Sequence, residues 1–377
     1  MLSTDVLIVG TGPAGAVAAL NLAPFCRVIA IDRHSTPKER IGESLPGAAR
    51  RFLADMGLLE DFLQDGHLPR HAIRGAWGDA EPVERDALHD PDGNGWTLNR
   101  ARFERRLRAV ACARGASLLA PVRLLELSRT GDSWLAEVTR EGRPMTLRAR
   151  VVLDAGGRAS KTLACHGGRR VVGDRLICAS VRAQRARLPA ALTQIEAEAE
   201  GWWYASPLPG GGGLLAFHTD ADLPAASVSR SAAKLLQRAR GLPMLSAFVE
   251  DFFAEELRAR VCAAHSSWLE PAAGEAWVAC GDAALAFDPL AGQGLFHALY
   301  TGLAAAETIM RYLNGETGSL QEYKKEIKNI QTVYTLNLSA WYGTERRWHD
   351  KQFWIRRHGI VDQGPYRGDD IWTRHRT

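Results

Sequence analysis

Val6-Leu7-Ile8-Val9-Gly10-Thr11-Gly12-Pro13-Ala14-Gly15 reads as a buried strand that runs into a tight glycine turn and then a helix. Val6–Val9 is an unbroken apolar, β-branched run. The alanine-rich Ala14–Leu22 reads as the helix, and Arg27–Ile31 returns as a second strand ending at Asp32-Arg33. The glycines follow GxGxxG, and Asp32 stands 22 residues after Gly10, the order and length of a dinucleotide-binding βαβ unit. Glycines at 10, 12 and 15 permit the tight turn and let a pyrophosphate approach the backbone. Pro13 and Ala14 open a helix whose free N–H groups and positive potential favour that anion. A carboxylate at Asp32, beside Arg33, can accept hydrogen bonds from a ribose hydroxyl.

Working outward, Ala48–Gln64 has helical apolar spacing at Phe52, Met56, Leu59 and Phe62. A strand-like stretch through Trp77 and a loop over Asp90–Gly95 follow, and then a helix over Ala101–Ala113. Leu118–Leu125, Trp134–Thr139 and Val151–Leu153 read as strands. From about Arg170 to Ser267 the pattern becomes short strands and turns, with a helical patch near Ser231–Arg240. Ala276–Cys280 is another buried strand, Gly294–Leu313 a helix, and the remainder helical and aromatic. Strands that return to the first unit after an excursion imply two interwoven domains. The expected fold is therefore α/β: a Rossmann-like domain (1–70, 99–165 and 274–313), a smaller mixed-sheet substrate domain (71–98 and 166–273) and a helical C-terminal segment (314–377).

The bulk numbers exclude several classes. At 377 residues, 46% hydrophobic and 24% charged, the composition is that of a globular enzyme. From Arg311 onward there are twelve Lys and Arg against eight Asp and Glu, so the whole net charge of +4 sits in the tail. That is too weak for a nucleic-acid partner. No apolar run of about 20 residues suggests a membrane span, and the N-terminus lacks signal-peptide features, so a cytoplasmic protein is expected. The six cysteines form no CxxC pair, which points to reduced, mostly buried thiols and no metal site.

Further motifs select the cofactor. Cys280-Gly281-Asp282-Ala283-Ala284 is followed by Asp288-Pro289-Leu290-Ala291-Gly292-Gln293-Gly294. This pair of segments resembles the flavin-side fingerprint of the FAD-dependent aromatic hydroxylase and flavin halogenase superfamily, whose FAD-binding domain is of the glutathione-reductase type. The resemblance implies that Gly281 and Asp282 meet the ribityl chain. It also implies that Pro289, Gly292, Gln293, Gly294 and Leu295 bring a helix N-terminus to the pyrimidine edge of the flavin, where charge gathers on reduction. Ile41-Gly42-Glu43-Ser44-Leu45-Pro46 resembles the GESxxP-like box of the halogenase branch, one residue shorter before its proline. Asn99-Arg100-Ala101-Arg102-Phe103 is similar to a segment whose arginine holds the FAD phosphates, with Arg100 favoured over Arg102. Val122 completes the implied FAD contacts.

The same resemblance frames the chemistry. Leu153-Asp154-Ala155-Gly156-Gly157-Arg158 departs from the Asp-Gly signature of hydroxylases reduced directly by NAD(P)H, so a separate flavin reductase is expected to deliver the electrons. Gly201-Trp202-Trp203-Tyr204-Ala205-Ser206-Pro207 lies where halogenases carry Trp-x-Trp-x-Ile-Pro. Trp77, Trp202, Tyr204 and Pro207 are candidate walls of the substrate pocket. Two halogenation groups are missing: no lysine occurs between Lys38 and Lys161, and Ala291 stands where those enzymes place a glutamate. Arg74, near the lysine's expected place, stays charged and cannot serve as one. With O2 as co-substrate, what remains is oxygen transfer from a flavin C4a-hydroperoxide to an electron-rich ring. The backbone of Gln293 and a base at His297, with His218 behind it, are the candidate catalytic groups. Together with Glu345-Arg346-Arg347-Trp348 and Phe353-Trp354-x-Arg356-Arg357, these motifs resemble flavoproteins that oxygenate tryptophan in a peptide or protein, including the maturases of cysteine tryptophylquinone. The implied activity is hydroxylation of a peptidyl indole. A small-molecule hydroxylase, a halogenase and a prenyl-lipid reductase are the alternatives.

Overall fold

The computed structural model describes residues 1–184, 191–250, 252 and 257–358. Residues 359–377 of the expected C-terminal segment lie outside the described residues. The central sheet carries five parallel strands in the order Trp277–Ala279, Arg143–Asp154, Leu2–Val9, Val28–Ile31 and Ser117–Leu119. Arg123–Thr130 and Ser133–Arg140 extend it as an antiparallel ribbon from Arg143–Asp154. The first helix, Pro13–Leu22, is buried at nine of its ten positions, as a helix apolar all round should be. Its small residues let the Gly294–Leu313 helix come close: a Cβ at Gly302 would lie 2.5 Å from the Ala14 carbonyl oxygen.

A seven-stranded sheet forms the second layer, in the order Ala259–Ala263, Leu176–Ala183, Gly212–Asp220, Gly201–Leu208, Leu192–Glu198, Ala72–Ala76 and Val83–Asp86. Successive side chains alternate between its faces. Trp203 points outward and stacks on Phe217 at 4.6 Å, in a core closed by the helices Ala232–Arg240 and Leu245–Glu250. Trp202 points inward with Cys178, against Ile41 and Leu290 of the first layer. Two three-stranded sheets tie the layers together. In one, Gly95–Thr97 pairs with Ser44–Leu45 and Leu68–Arg70; in the other, Ser267–Glu270 pairs with Arg169–Val172 and Leu285–Ala286. The expected mixed α/β architecture with a Rossmann-like core and C-terminal helices is present.

Several local expectations change. The helix expected over Ala48–Gln64 is two, Ala49–Asp55 and Leu59–Gln64, because Gly57 at φ +67° ends the first. The strand expected over Leu118–Leu125 breaks at Pro121, after which Val122 N–H donates to the Asp32 carbonyl at 2.7 Å. Cys112, Cys165 and Cys262 are exposed and only Cys178 and Cys280 are fully buried, so the thiols are not mostly internal.

The long helix Ser319–Thr344 and the last described helix, Gln352–His358, pack across both layers. Trp354 and Phe353 are buried, and the Trp354 indole N–H donates to the Glu198 carbonyl at 2.9 Å. Arg357 donates to Asp220 at 2.7 Å, and Arg356 bridges Asp220 and Asp222. Glu345, fully buried, accepts from the Gly78 N–H at 2.8 Å and from Arg347. The tail motif of the sequence therefore pins the C-terminal helices onto the second layer.

Candidate functional site

The glycine turn is shaped by contacts on one side and open on the other. Gly10, at φ +98°, would place a Cβ 2.5 Å from the Ala155 carbonyl oxygen, and Gly15 would place one 2.0 Å from the Gly10 oxygen. Only glycine fits at both. A Cβ at Gly12 meets nothing within 4 Å, so this side of the turn is free to receive a ligand. The helix it opens has no side-chain cap and no acid in its first turn, which leaves its N–H groups for an anion.

Asp32 lies at the end of the second strand, as expected. It accepts from the Thr11 N–H and hydroxyl at 2.9 Å each, from the His34 N–H at 2.8 Å and from Arg108 at 2.9 Å. Burial works against its charge, but these donors outweigh it and hold the carboxyl below the usual range. Arg108 was not foreseen. It is buried, also donates to the Thr11 carbonyl at 3.0 Å, and fixes the turn to the carboxylate. Its signal was the stripe Arg100, Glu104, Arg108 at four-residue spacing on one helix. Arg33 is exposed.

Arg100 is buried and held in place: it donates to Glu104 at 2.6 Å and to the Gly42 carbonyl at 2.5 Å. Arg102 is exposed and bonds the Asp65 carbonyl. Gly42, at φ +100°, turns the chain so that Glu43 points inward, where it pairs with Arg182 of the second layer and accepts from the Gly42 N–H at 2.9 Å. Burial pushes the Glu43 carboxyl up, against the pull of Arg182 and Arg100. The Ser44 hydroxyl is bonded by Arg70.

The second glycine segment forms a matching opening. Gly281 N–H donates to the Thr301 hydroxyl at 2.8 Å, and the Asp282 side chain, 35% exposed, stands 3.7 Å from Arg158. Pro289–Ala291 makes a short turn capped by Asp288, whose carboxylate accepts from the Leu290 N–H at 2.9 Å. Gly292 follows at φ +64°, and Cβ atoms at Gly292 and Gly294 would meet nothing within 4 Å. The Gly294 helix then starts at Gln293, again with no side-chain cap and no acid in the first turn. Leu295 is buried at its first turn. Two uncapped helix ends, three open glycines and carboxylates at Asp32 and Asp282 make a cradle that fits a dinucleotide whose far end carries a charge-accepting ring.

Residues 3–335 match the family described as FAD binding domain. The chain belongs to that family. This flavoprotein is an FAD-dependent oxidoreductase of the superfamily that includes the aromatic hydroxylases and flavin halogenases. It is 26% identical over 367 residues to LodB of Marinomonas mediterranea, an assigned FAD-dependent oxidoreductase, covering 96% of this chain and 98% of LodB. In fold it is similar to the myxobacterial chondrochloren halogenase CndH, with a TM-score of 0.86 at 22% identity, covering 95% of this chain and 86% of that one. It is also similar to the peptidyl tryptophan dihydroxylase QhpG, with a TM-score of 0.75 at 22% identity, covering 96% and 80%.

The flavoprotein's expected pocket residues separate into two groups. Trp202 is buried and stacks face to face on His218 at 3.7 Å, and its N–H donates to the Tyr342 hydroxyl at 3.1 Å. Trp77 donates to the Trp341 carbonyl and packs on Trp354 at 5.5 Å. The C-terminal helices thus cover both tryptophans. Tyr204 shares the face of Trp202 and lies beside Ser206 and Thr193, whereas Pro207, buried near the end of the strand, alternates to the outward face with Trp203 and so does not wall a pocket beside Trp202. His297 is buried against Phe287 with Nε2 unpartnered, and burial lowers its pKa to about 4. His218 is lowered likewise to about 3, so both imidazoles are neutral. Among the described residues, no group of three His, Cys, Asp or Glu is placed to hold a metal ion, and no helix is long and apolar enough to cross a membrane.

Proposed function

We propose that this flavoprotein is a monooxygenase that hydroxylates an electron-rich aromatic ring, the indole of a tryptophan within a peptide or protein. The observation that carries the reading is what stands at the two places where the halogenases carry a lysine and a glutamate. Arg74 pairs with Glu84 at 2.6 Å on an exposed edge of the second sheet. Ala291 is a methyl group in the turn before Gly294. Neither can hold or direct an oxidised halogen. When bound, the flavin supplies the redox chemistry that activates O2; the chain has to position the ring and exclude water.

The exposed edge of the second sheet favours a large substrate. Among the described residues, the C-terminal helices cover the sheet face at Trp202 and leave its other edge open. There Ser180 and Arg182 share the face of Cys178 along one strand, and the edge strand Ala259–Ala263 is exposed along nearly all its length. Such an edge admits an extended chain. The end-to-end match with LodB supports the oxidoreductase part of the reading, and the fold shared with a peptidyl tryptophan dihydroxylase supports the peptidyl tryptophan substrate. The Asp154–Arg158 segment supports electron delivery by a separate flavin reductase using NAD(P)H; rapid stoichiometric reduction of the pure flavoprotein by NADH would refute that part.

The test is aerobic turnover of FAD-loaded protein with a flavin reductase, NADH, chloride, bromide and catalase. Free tryptophan, simple phenols and tryptophan-containing peptides compete as substrates. Oxygen on the peptidyl tryptophan alone is the expected result. Chlorine or bromine on any ring overturns the reading, and oxygen on free tryptophan alone makes the enzyme a small-molecule hydroxylase.

A further inference from the structure

The strands Leu176–Ala183 and Ala259–Ala263 are antiparallel, with Cys178 directly opposite Cys262. Residues opposed in this way have Cα atoms about 4.5–5.5 Å apart and side chains on the same face. That separation falls inside the span of about 4.4–6.8 Å that a disulfide bridges. The two thiols differ in setting. Cys178 is buried, while Cys262 is exposed on the edge strand. A hydrogen bond from Cys178 draws the Cys262 thiol below its ordinary value, burial opposes that, and the Arg158 guanidinium helps; Glu43 acts the other way. Cys178 is pushed well up by the same hydrogen bond and by burial, so it keeps its proton. One accessible thiolate beside one protonated thiol is the division of labour between an attacking and a resolving cysteine.

The location adds a reason for the pair. Trp202, His218, Cys178 and Cys262 stand opposite one another in register on four consecutive strands, so they form one row across the inward face of the sheet. Arg158, which approaches Asp282 at 3.7 Å in the flavin cradle, also bonds the His265 carbonyl just past Cys262. Arg158 thus links the cradle to the Cys262 end of the row.

We propose that Cys178 and Cys262 form a peroxide-reactive dithiol site. The Cys262 thiolate attacks one oxygen of hydrogen peroxide. The O–O bond breaks, the departing oxygen leaves as water after taking a proton, and Cys262 becomes a sulfenic acid. The Cys178 sulfur then attacks the Cys262 sulfur, the S–O bond breaks, and the hydroxyl leaves as a second water with the Cys178 proton. Two thiols lose two electrons and two protons, one hydrogen peroxide becomes two waters, and a cross-strand disulfide remains. The site does not depend on which ring the enzyme hydroxylates, because peroxide can be added directly.

The experiment treats the FAD-loaded, full-length protein with one equivalent of hydrogen peroxide and traps free thiols with an alkylating agent. Peptides are then mapped without reduction. The expected product is a peptide pair linked through 178 and 262, restored to thiols by dithiothreitol, with Cys262 oxidised at least ten-fold faster than the exposed Cys112 and Cys165. In Cys178→Ser, or Cys178→Ala if the serine variant folds poorly, Cys262 should be captured by dimedone as a sulfenic acid. Equal oxidation of Cys112, Cys165 and Cys262, a link between two molecules in place of the 178–262 pair, or over-oxidation of Cys262 in the wild type without a link would each overturn the proposal.

Discussion

The Tyr342 hydroxyl donates to Asp288 at 2.8 Å and at the same time accepts the indole N–H of Trp202 at 3.1 Å. Tyr342 belongs to the long C-terminal helix, Asp288 caps the turn before Gly294, and Trp202 lies in the second sheet. One buried phenol therefore joins these three parts of the molecule. Tyr342→Phe should leave a buried N–H without an acceptor and a buried carboxyl with one donor fewer, at a cost of roughly 1–3 kcal/mol. Denaturant unfolding of the FAD-loaded variant measures this; an unchanged midpoint would show that the relay contributes nothing.

Asp288 should also leave a signature in pH. Burial raises its carboxyl to about 6 from the ordinary 3.8, with Asp174 adding to the rise and Arg357 opposing it. The folded state thus binds this proton more tightly than the unfolded chain. The stability it confers is full below about pH 4 and is lost as pH climbs through 6, a swing on the order of 3 kcal/mol. Asp288→Asn cannot titrate. Relative to wild type, the variant should gain stability between pH 4.5 and 7, and parallel pH profiles for the two proteins would contradict the assignment.

Two glycines separate binding from folding. Gly12→Ala adds a methyl group at φ −67° into open space, so the apoprotein should keep its melting temperature while FAD affinity falls at least ten-fold. Gly302→Ala drives a methyl group to 2.5 Å from the Ala14 carbonyl oxygen, so the apoprotein should lose roughly 1–3 kcal/mol. Flavin titration beside thermal unfolding distinguishes the two. A Gly12→Ala protein that binds FAD normally would place the pyrophosphate elsewhere.

Arg182→Met tests the strut between the layers. It leaves Glu43 buried without its nearest cation, so the Glu43 carboxyl rises further above its unfolded value. With Arg182 partly exposed, the loss should fall short of the roughly 3–5 kcal/mol of a fully buried pair. It should be larger at pH 8 than at pH 5, since a raised carboxyl loses stability as pH rises. Equal losses at the two pH values would mean that Glu43 is not charged in the wild type.

The cofactor cradle was legible because its chemistry is local. Gly10, Gly12, Gly15 and Asp32 sit in one strand–turn–helix whose spacing marks them, while Asp282 to Gly294 were marked by their resemblance to the flavin-side fingerprint. The residues that join the layers were not legible in this way. Arg182 meets Glu43 across 139 positions of chain, and Tyr342 meets Trp202 across 140. Nothing in their own neighbourhoods marks them. The pairing of Cys178 with Cys262 depends on strand register, which no CxxC-type spacing encodes. The period-two alternation of Trp202, Trp203 and Tyr204 was readable, but which face would meet the C-terminal helices was set by the packing of Phe353 and Trp354.

The central claim is oxygen transfer from O2 to a peptidyl indole, and isotope labelling tests it most directly. A tryptophan-containing peptide would be turned over under heavy-isotope dioxygen with FAD-loaded protein, a flavin reductase, NADH and bromide, and fragmented to locate the added mass. The account predicts heavy oxygen on the tryptophan ring and no bromine. Bromine on the ring, or oxygen drawn from water and not from O2, would contradict it.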